Sequence, residues 1–157
     1  MNYLKSKKQN YLNQSICITC GGACCRRLPG AAFPEDFIRP IKNSVREALR
    51  SGKWVIDMRG GNFFIRPSTK WNRKILSLSL DVDGIGCVFL SKTGCALPAD
   101  VRPKTCRSLE PKEKECILHD GASEWESAEA WSKYKKFFIE IIKNEKNNKE
   151  FLYACED

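Results

Sequence analysis

The 157-residue sequence lacks several features that would assign it to a common protein class. It contains no run of about 18 apolar residues, so we expect no membrane-spanning helix. Its N-terminal polar stretch is not followed by the apolar segment of a secretory signal peptide, and we therefore expect a cytoplasmic protein. Neither a phosphate-binding loop nor a dinucleotide-binding glycine motif is present, which excludes the common nucleotide-binding patterns.

Histidine is nearly absent. The one histidine, His119, has no partner in a recognisable motif, and we expect a surface residue rather than a metal ligand. The segment Asp81-Val82-Asp83-Gly84 matches part of a calcium loop but lacks the remaining ligands and the final glutamate. It therefore predicts a turn.

The charge is strongly one-sided, with 27 basic and 19 acidic residues and a formal net charge of +8. Such a balance permits association with nucleic acid, an acidic protein or an anionic surface, but requires none of them. The basic residues are scattered along the chain rather than gathered in a block. We expect a protein partner and keep nucleic acid as the less favoured one.

Cysteine, in contrast, is abundant, with nine residues, four of them in the nine-residue stretch from Cys17 to Cys25. Thiolates at this density repel one another and oxidise readily unless a positive charge holds them. Zinc and iron accept sulfur donors and would supply that charge. In a reducing cytosol, clustered cysteines favour metal binding or catalysis over disulfides, and the odd count also argues against a closed disulfide set. The sequence thus predicts a metal-chelating centre of zinc or iron, including an iron–sulfur cluster.

The predicted ligands occupy turns and the ends of elements, where metal ligands are usually found. Gly21 and Gly22 allow the backbone to fold back between the first two cysteine pairs. Adjacent cysteines diverge, so the second pair serves one ion only if the backbone bends sharply, or else feeds two neighbouring metals. Cys116 could complete a second four-thiolate shell, although a buried apolar role is favoured for it and for Cys155. The predicted set is Cys17, Cys20, Cys24, Cys25, Cys87, Cys95 and Cys106.

Two other interpretations of these segments stay open. Thiol–disulfide exchange by Cys17 and Cys20 is disfavoured. The Cys-x-x-Cys motif of such oxidoreductases normally follows a strand, whereas the segment before Cys17 has little strand character. Arg102 and Arg107 flank the last predicted ligand, where their charge either stabilises thiolates or forms an ordinary structural salt bridge.

The remaining pattern predicts an α+β fold: a small antiparallel sheet with flanking helices, stapled by the metal–cysteine centre. Apolar spacing predicts a helix within residues 34–51 that is regular from Pro40 and ended by Gly52. The other predicted elements are a hairpin over 54–66, strands over 75–80 and 86–90, a turn at 92–94, and a helical turn within 98–107 that brings Cys106 to the other cysteines.

A long amphipathic helix is predicted near the C-terminus. Ser123 and Glu126 form a capping-box pattern at its start. Its apolar stripe is expected to pack onto the sheet, with a partner-binding or membrane-surface helix as the alternative. The stripe contains Trp125, Ala128, Trp131, Tyr134, Phe138, Ile141 and Ile142, with Phe137 off its centre. The chain then divides into a polar arm (1–16), a cysteine-cluster domain (17–120) and a helical extension packed on it (121–157).

Three ordered motifs also resemble a known family. They are Cys17-x-x-Cys20-Gly21-x-x-Cys24-Cys25, then Gly86-Cys87-Val88-Phe89-Leu90 with Gly94-Cys95, then Arg102-Pro103-x-x-Cys106-Arg107. Together they resemble the YkgJ-type cysteine-cluster proteins, which are zinc- or iron-chelating domains, and the related cluster of the flagellin lysine methylases. The resemblance covers residues 17 to 110. The spacing between the second and third cysteines and the segment 108–110 depart from the family pattern.

Three functions follow. The favoured one is a metal-binding protein whose cluster organises the fold or a partner-binding surface. The resemblance also implies, as an alternative, an iron–sulfur protein that takes part in protein modification such as lysine methylation. The net positive charge suggests a zinc-dependent nucleic-acid binder as a second alternative.

Overall fold

The computed structural model describes residues 2–6, 11, 14–27, 29–70, 72, 74–78, 86–112 and 116–154. The predicted turn at Asp81–Gly84, the end of the predicted strand at Ser79 and Leu80, and Cys155 lie outside these ranges. The helices are α1 (Gln14–Cys20), α2 (Ala23–Arg27), α3 (Ile41–Arg50), α4 (Lys104–Arg107), α5 (Glu124–Ala130) and α6 (Lys135–Ala154). The strands are β1 (Trp54–Arg59), β2 (Asn62–Pro67), β3 (Leu90–Ser91), β4 (Gly94–Cys95), β5 (Leu109–Glu110) and β6 (Ile117–Leu118).

The α+β class is confirmed, but the described strands form separate two-stranded antiparallel sheets rather than one sheet. Strand β1 pairs with β2, β3 with β4, and β5 with β6. Between them lie helices and short 3-10 turns. The last pair, β5 and β6, was not predicted from the sequence. None of the described helices is long and apolar enough to cross a membrane.

The hairpin of β1 and β2 is the central scaffold, as the sequence predicts. Arg59 pairs with Asn62 across a two-residue turn in which Gly60 and Gly61 have φ values of +57° and +77°. Two consecutive left-handed residues match the natural twist of a hairpin, and glycine adopts this conformation without steric cost. The strands are almost wholly buried because helices and loops cover both faces.

The two further predicted strands are wrong as regular strands within the described residues. The Ile75 carbonyl accepts the N–H of Ile56 and the Ser77 N–H donates to the Ile56 carbonyl, which makes an isolated parallel bridge rather than a strand. The carbonyl of Ser77 accepts the Arg66 guanidinium at 2.9 Å, so it is not free to extend a ladder. In segment 86–90, the Leu90 N–H bonds to the Cys87 carbonyl at 3.0 Å, which makes a turn where a strand is predicted.

Helix α3 matches its prediction closely. It begins after Pro40, ends at Arg50, and is followed by Gly52 with φ +74°. Its apolar face packs into an aromatic core that also includes residues from the hairpin and the C-terminal helices. Fully buried side chains of this core include Phe37, Val45, Trp54, Ile56, Phe64, Ile65, Trp131 and Phe138.

The polar N-terminal arm is anchored in this core. Tyr3 and Leu4 are buried, and the hydroxyl of Tyr3 accepts the indole N–H of Trp54 at 3.1 Å. Leu4 also forms an isolated bridge with Phe37. Two apolar residues in a lysine-rich arm thus tie it to the domain.

The predicted C-terminal helix is interrupted. Its capping box is confirmed, with reciprocal Ser123 and Glu126 contacts at 3.2 and 2.9 Å. However, a 3-10 turn at Ser132–Tyr134 separates α5 from α6. The indole of Trp131 donates to the carbonyl of Ala32 at 2.8 Å and fixes the chain at this break.

Because of that break, residues on the two sides no longer share one continuous helical face. Trp125 is 63% exposed and covers Gly60 instead of joining the packed stripe. Phe137, predicted to lie off the stripe, is buried in the core. The helices nevertheless pack on the same core as the rest of the chain.

A buried ion pair fastens the scaffold. Arg66 Nε lies 2.9 Å from Asp57 Oδ2, and both side chains are fully buried. The rest of the guanidinium donates to the carbonyls of Pro67 and Ser77. A buried charge is tolerated when it is paired and fully hydrogen-bonded, as it is here.

Removing Asp57 should therefore be costly. We expect Asp57→Ala to lower the free energy of unfolding by about 3–5 kcal/mol, because Arg66 would remain buried without its counter-charge. The matched control is Glu35→Ala, which breaks the exposed pair with Lys104 and should cost less than about 1 kcal/mol. Urea unfolding followed by tryptophan fluorescence measures both. Equal losses in the two variants would contradict this role for the pair.

Candidate metal centre

The first cysteine pair lies on α1. Cys17 and Cys20 are three residues apart in the helix and therefore share a face. The chain then reverses through Gly21 and Gly22, with φ values of +68° and +73°. A Cβ at Gly22 would lie 2.6 Å from Leu90 Cδ1, so this position requires glycine for its backbone and for its packing. The predicted glycine turn between the cysteine pairs is confirmed.

The second pair lies on the short helix α2. Cys24 and Cys25 are adjacent, and their sulfur atoms are 4.0 Å apart. Both side chains are partly buried. Successive residues of an α-helix point about 100° apart, so the two thiols face different surroundings.

The β3–β4 region brings two more cysteines to α2. The backbone N–H of Cys87 donates to the carbonyl of Cys25 at 2.8 Å, which joins the two segments directly. Cys95 pairs with Leu90 in the small hairpin.

Helix α4 delivers Cys106 to the same region, as the sequence predicts. The backbone of Gly30 passes close to the Cys106 sulfur. A Cβ at Gly30 would stand 2.5 Å from that sulfur, so glycine is needed for this approach.

A carboxylate holds α4 in place. Asp36 is buried and accepts the backbone N–H groups of Phe33 and Lys104 at 2.8 and 2.9 Å, as well as the guanidinium of Arg107. These bonds tie the 33–36 turn to the start and the end of α4. Cys106 lies between the two attachment points.

The two arginines near Cys106 act differently. Arg107 forms a buried ion pair with Asp36, which favours the structural salt-bridge interpretation for this residue. Arg102 donates to the carbonyl of Leu97 at 2.9 Å, and its charge acts against the burial that raises the pKa of the Cys17 thiol. Of the two, Arg102 is the residue that influences a predicted ligand.

Cys116 also reaches the cluster. Its thiol is only partly buried, and burial together with the nearby Cys24 and Cys20 thiols raises its pKa. A buried apolar role, favoured from the sequence, therefore does not describe this cysteine. It lies just before β6, part of a strand pair that was not predicted, although the count of cysteines in the sequence leaves open that Cys116 completes a second four-thiolate shell.

His119 is kept away from the sulfurs by other partners. Its ring stacks on Tyr11 at a centroid distance of 3.7 Å, and its Nε2 lies 2.9 Å from a Glu110 oxygen. The ring is partly exposed. This environment suits the surface role expected for it.

The thiols do not titrate alike. The pKa of Cys24 is lowered to about 6, chiefly because the Cys25 thiol donates a hydrogen bond to its sulfur. The same bond raises the pKa of Cys25. Burial raises the pKa of Cys87 to about 11 and also raises that of Cys106. At neutral pH Cys24 is therefore a thiolate beside the protonated thiols of Cys25, Cys87 and Cys106.

The described cysteines are free thiols that converge from separate segments. As they stand, no three His, Cys, Asp or Glu side chains within the described ranges are placed to hold a metal ion. The donor chemistry nevertheless fits a soft metal, since sulfur is the element that the converging side chains offer. The predicted set and Cys116 form the cysteine cluster, the name used below for Cys17, Cys20, Cys24, Cys25, Cys87, Cys95, Cys106 and Cys116.

Comparison of the chain with protein-family models, with curated proteins and with solved structures finds no match. The resemblance to the YkgJ-type proteins therefore stays a prediction from the three sequence motifs.

The pKa difference predicts the order of reaction in reduced, metal-free protein. At about pH 7, iodoacetamide should modify Cys24 before Cys87, because a thiolate is the reacting form. Fragment-ion mass spectrometry reports the modified position. As a control, Cys24→Ser should remove the early phase. Equal modification rates at the two cysteines would contradict the predicted difference.

Proposed function

We propose that this chain is a metal-chelating protein that takes up zinc or iron through the thiolates of its cysteine cluster. The bound metal would staple the N-terminal helices to the 87–106 segment and organise a surface for a protein partner. One observation supports the proposal: each predicted ligand is within electrostatic reach of another one, although the ligands are spread from residue 17 to residue 106.

The backbone donors around the cluster support this proposal. The backbone at Phe89, Gly30 and Lys112 lowers the pKa values of Cys87, Cys106 and Cys116, respectively, against the burial that raises them. Hydrogen bonds to sulfur favour the charged form of the thiol, and such outer contacts orient the ligands of metal sites. Buried apolar cysteines have no need of them.

Electrostatics also supports it. Burial is the main cause that raises the pKa values of Cys87 and Cys106, and the charges of neighbouring thiolates raise both further. A cation among them reverses this effect, so metal uptake would release protons and draw the sulfurs inward. The side chains must then rotate from the positions they hold now.

The resulting chemistry depends on the metal. Zinc in a closed shell of four thiolates contributes folding energy and no catalysis. Iron–sulfur clusters use the same thiolate ligands, so protein modification stays the alternative suggested by the family resemblance. A reducing compartment such as the cytosol would keep the free thiols available.

A second candidate function, nucleic-acid binding, is favoured by a groove that is lined by positively charged side chains. This groove of about 850 Å³ is lined by four cations and by no carboxylate. None of the four forms an ion pair with another described residue. The cations are Arg39, Lys42, Arg46 and Lys133, beside Tyr134.

The ligand assignment predicts a clear difference between cysteine variants. Cys20→Ser and Cys106→Ser should each lose bound metal after anaerobic purification, because each removes a thiolate from the cluster. Cys155→Ser, which changes a cysteine outside the predicted set, is the matched control and should keep it. Elemental mass spectrometry with a visible absorption spectrum measures the content and separates zinc from an iron–sulfur cluster. Full metal retention in the Cys20→Ser variant would contradict the assignment of the metal ligands.

The second candidate has its own test. If the basic groove binds nucleic acid, single-stranded RNA should bind in fluorescence anisotropy with an affinity that falls as salt rises. The double variant Arg39→Ala with Lys133→Ala should weaken binding and reduce the salt dependence. Lys112→Ala, which removes an exposed cation paired with Glu110, is the control. An RNA affinity that changes neither with salt nor in the groove variant would contradict this candidate function.

A further inference from the structure

We infer that the basic groove and an apolar cavity beside it form one docking surface for a protein segment that carries an apolar residue next to a run of carboxylates. This inference goes beyond the proposed function, because the residues that line the surface lie outside the cysteine cluster and need no bound metal. It states where a protein partner binds and which chemistry recognises that partner.

The apolar cavity adjoins the basic groove. It has a volume of about 770 Å³, and Arg39, Ile41 and Lys133 line both spaces. The side chain of Ile38, which is 40% exposed, gives this cavity an open apolar surface. A cationic surface and an apolar surface are therefore continuous. The other apolar residues that line the cavity are Phe33, Pro34, Phe37, Ile41 and Ala130.

Aromatic rings, rather than carboxylates, position the cations of the groove. The Lys42 ammonium and the Arg46 guanidinium lie 5.7 and 4.8 Å from the ring centroid of Phe137. Lys133 lies over the ring of Tyr134 at 5.5 Å. A ring face attracts a cation without neutralising it. Within the described ranges no carboxylate forms an ion pair with these cations, so their charge is available to a partner.

The geometry of α3 makes this crowding of cations unfavourable in the isolated chain. Lys42 and Arg46 are four residues apart on the helix, and like charges at this spacing repel each other. Lys42 also lies in the first turn of α3, at the positive end of the helix dipole, and no acidic residue of that turn compensates for it. A run of aspartates or glutamates on a partner would relieve both effects.

The one carboxylate among the described residues that line the two spaces does not oppose an acidic partner. It belongs to Glu35 in the apolar cavity and lies 3.1 Å from the Lys104 ammonium. Lys5 adds a further cation to the lining of the same cavity. The surface as a whole is therefore positively charged.

The side chains of this surface favour a protein partner over a nucleic acid. Single-stranded nucleic acids bind largely through bases that stack on open aromatic faces. Phe33 and Phe37 are buried. Tyr134 packs against Trp131 with a centroid distance of 5.3 Å. The open apolar side chain is the aliphatic Ile38, which suits a leucine or isoleucine of a protein segment.

The test measures fluorescence anisotropy of three labelled probes with the full-length chain. They are a peptide with a leucine pair followed by a run of glutamates, the same peptide with serines in place of the leucines, and an oligouridylate of equal charge. The leucine peptide should bind most tightly. Ile38→Ser should weaken binding of this peptide about three- to tenfold, through lost apolar burial, and leave the other two probes unchanged.

Two further variants complete the experiment. Leu78→Ser is the matched control, because Leu78 is 39% exposed and lies outside the groove, and this variant should bind all probes like wild type. Arg39→Ala with Lys133→Ala should weaken binding of both peptides, because both depend on the cations. Near-ultraviolet circular dichroism of the tryptophans reports whether each variant is folded.

The outcomes are distinguishable. Equal affinities of wild type for the leucine and serine peptides would overturn the apolar anchor and with it the inference. Tightest binding of the oligouridylate, unchanged by Ile38→Ser, would assign the surface to nucleic acid instead. Binding of none of the probes would show that the groove is not a docking surface. The zinc content of the same preparation, measured by elemental mass spectrometry, tests the proposed function separately.

Discussion

The constraint on which this structure depends is the crowding of thiols from separate segments into one region. Burial raises the pKa values of Cys87 and Cys106, and each neighbouring thiolate makes their ionisation harder still. The charges of Arg66 and Arg102 offset part of this effect at Cys87 and Cys17. A cation inside the cluster would offset the rest, which is the physical basis for proposing a metal-chelating protein.

The remainder of the fold holds these segments in place. Asp36 fastens α4 through two backbone N–H groups and Arg107, and the buried pair of Asp57 and Arg66 fastens the β1–β2 hairpin. Arg66 contributes to both the scaffold and the cysteine cluster, because it pairs with Asp57 and also favours the thiolate of Cys87. The hairpin packs into the aromatic core, which also contains residues of the N-terminal arm and of α6.

Local patterns predicted much of this fold, whereas long-range partners decided the rest. The start and end of α3, the glycine turn of the central hairpin and the capping box at Ser123 depend on neighbouring residues and were predictable. The break near Trp131 depends on the carbonyl of Ala32, far away in sequence, and no periodicity reveals it. Likewise, motif spacing selected seven of the cysteines, whereas Cys116 lies beside the unpredicted β5–β6 pair.

The most direct test of a thiolate-only metal centre is X-ray absorption of the zinc-loaded, full-length chain at the zinc edge. The account predicts a first shell of four sulfur atoms at about 2.3 Å and no nitrogen or oxygen ligands. This follows from a cluster of cysteines from which His119 is held away by Tyr11 and Glu110. A shell that contains nitrogen or oxygen, or fewer than about four sulfurs per ion, would contradict it.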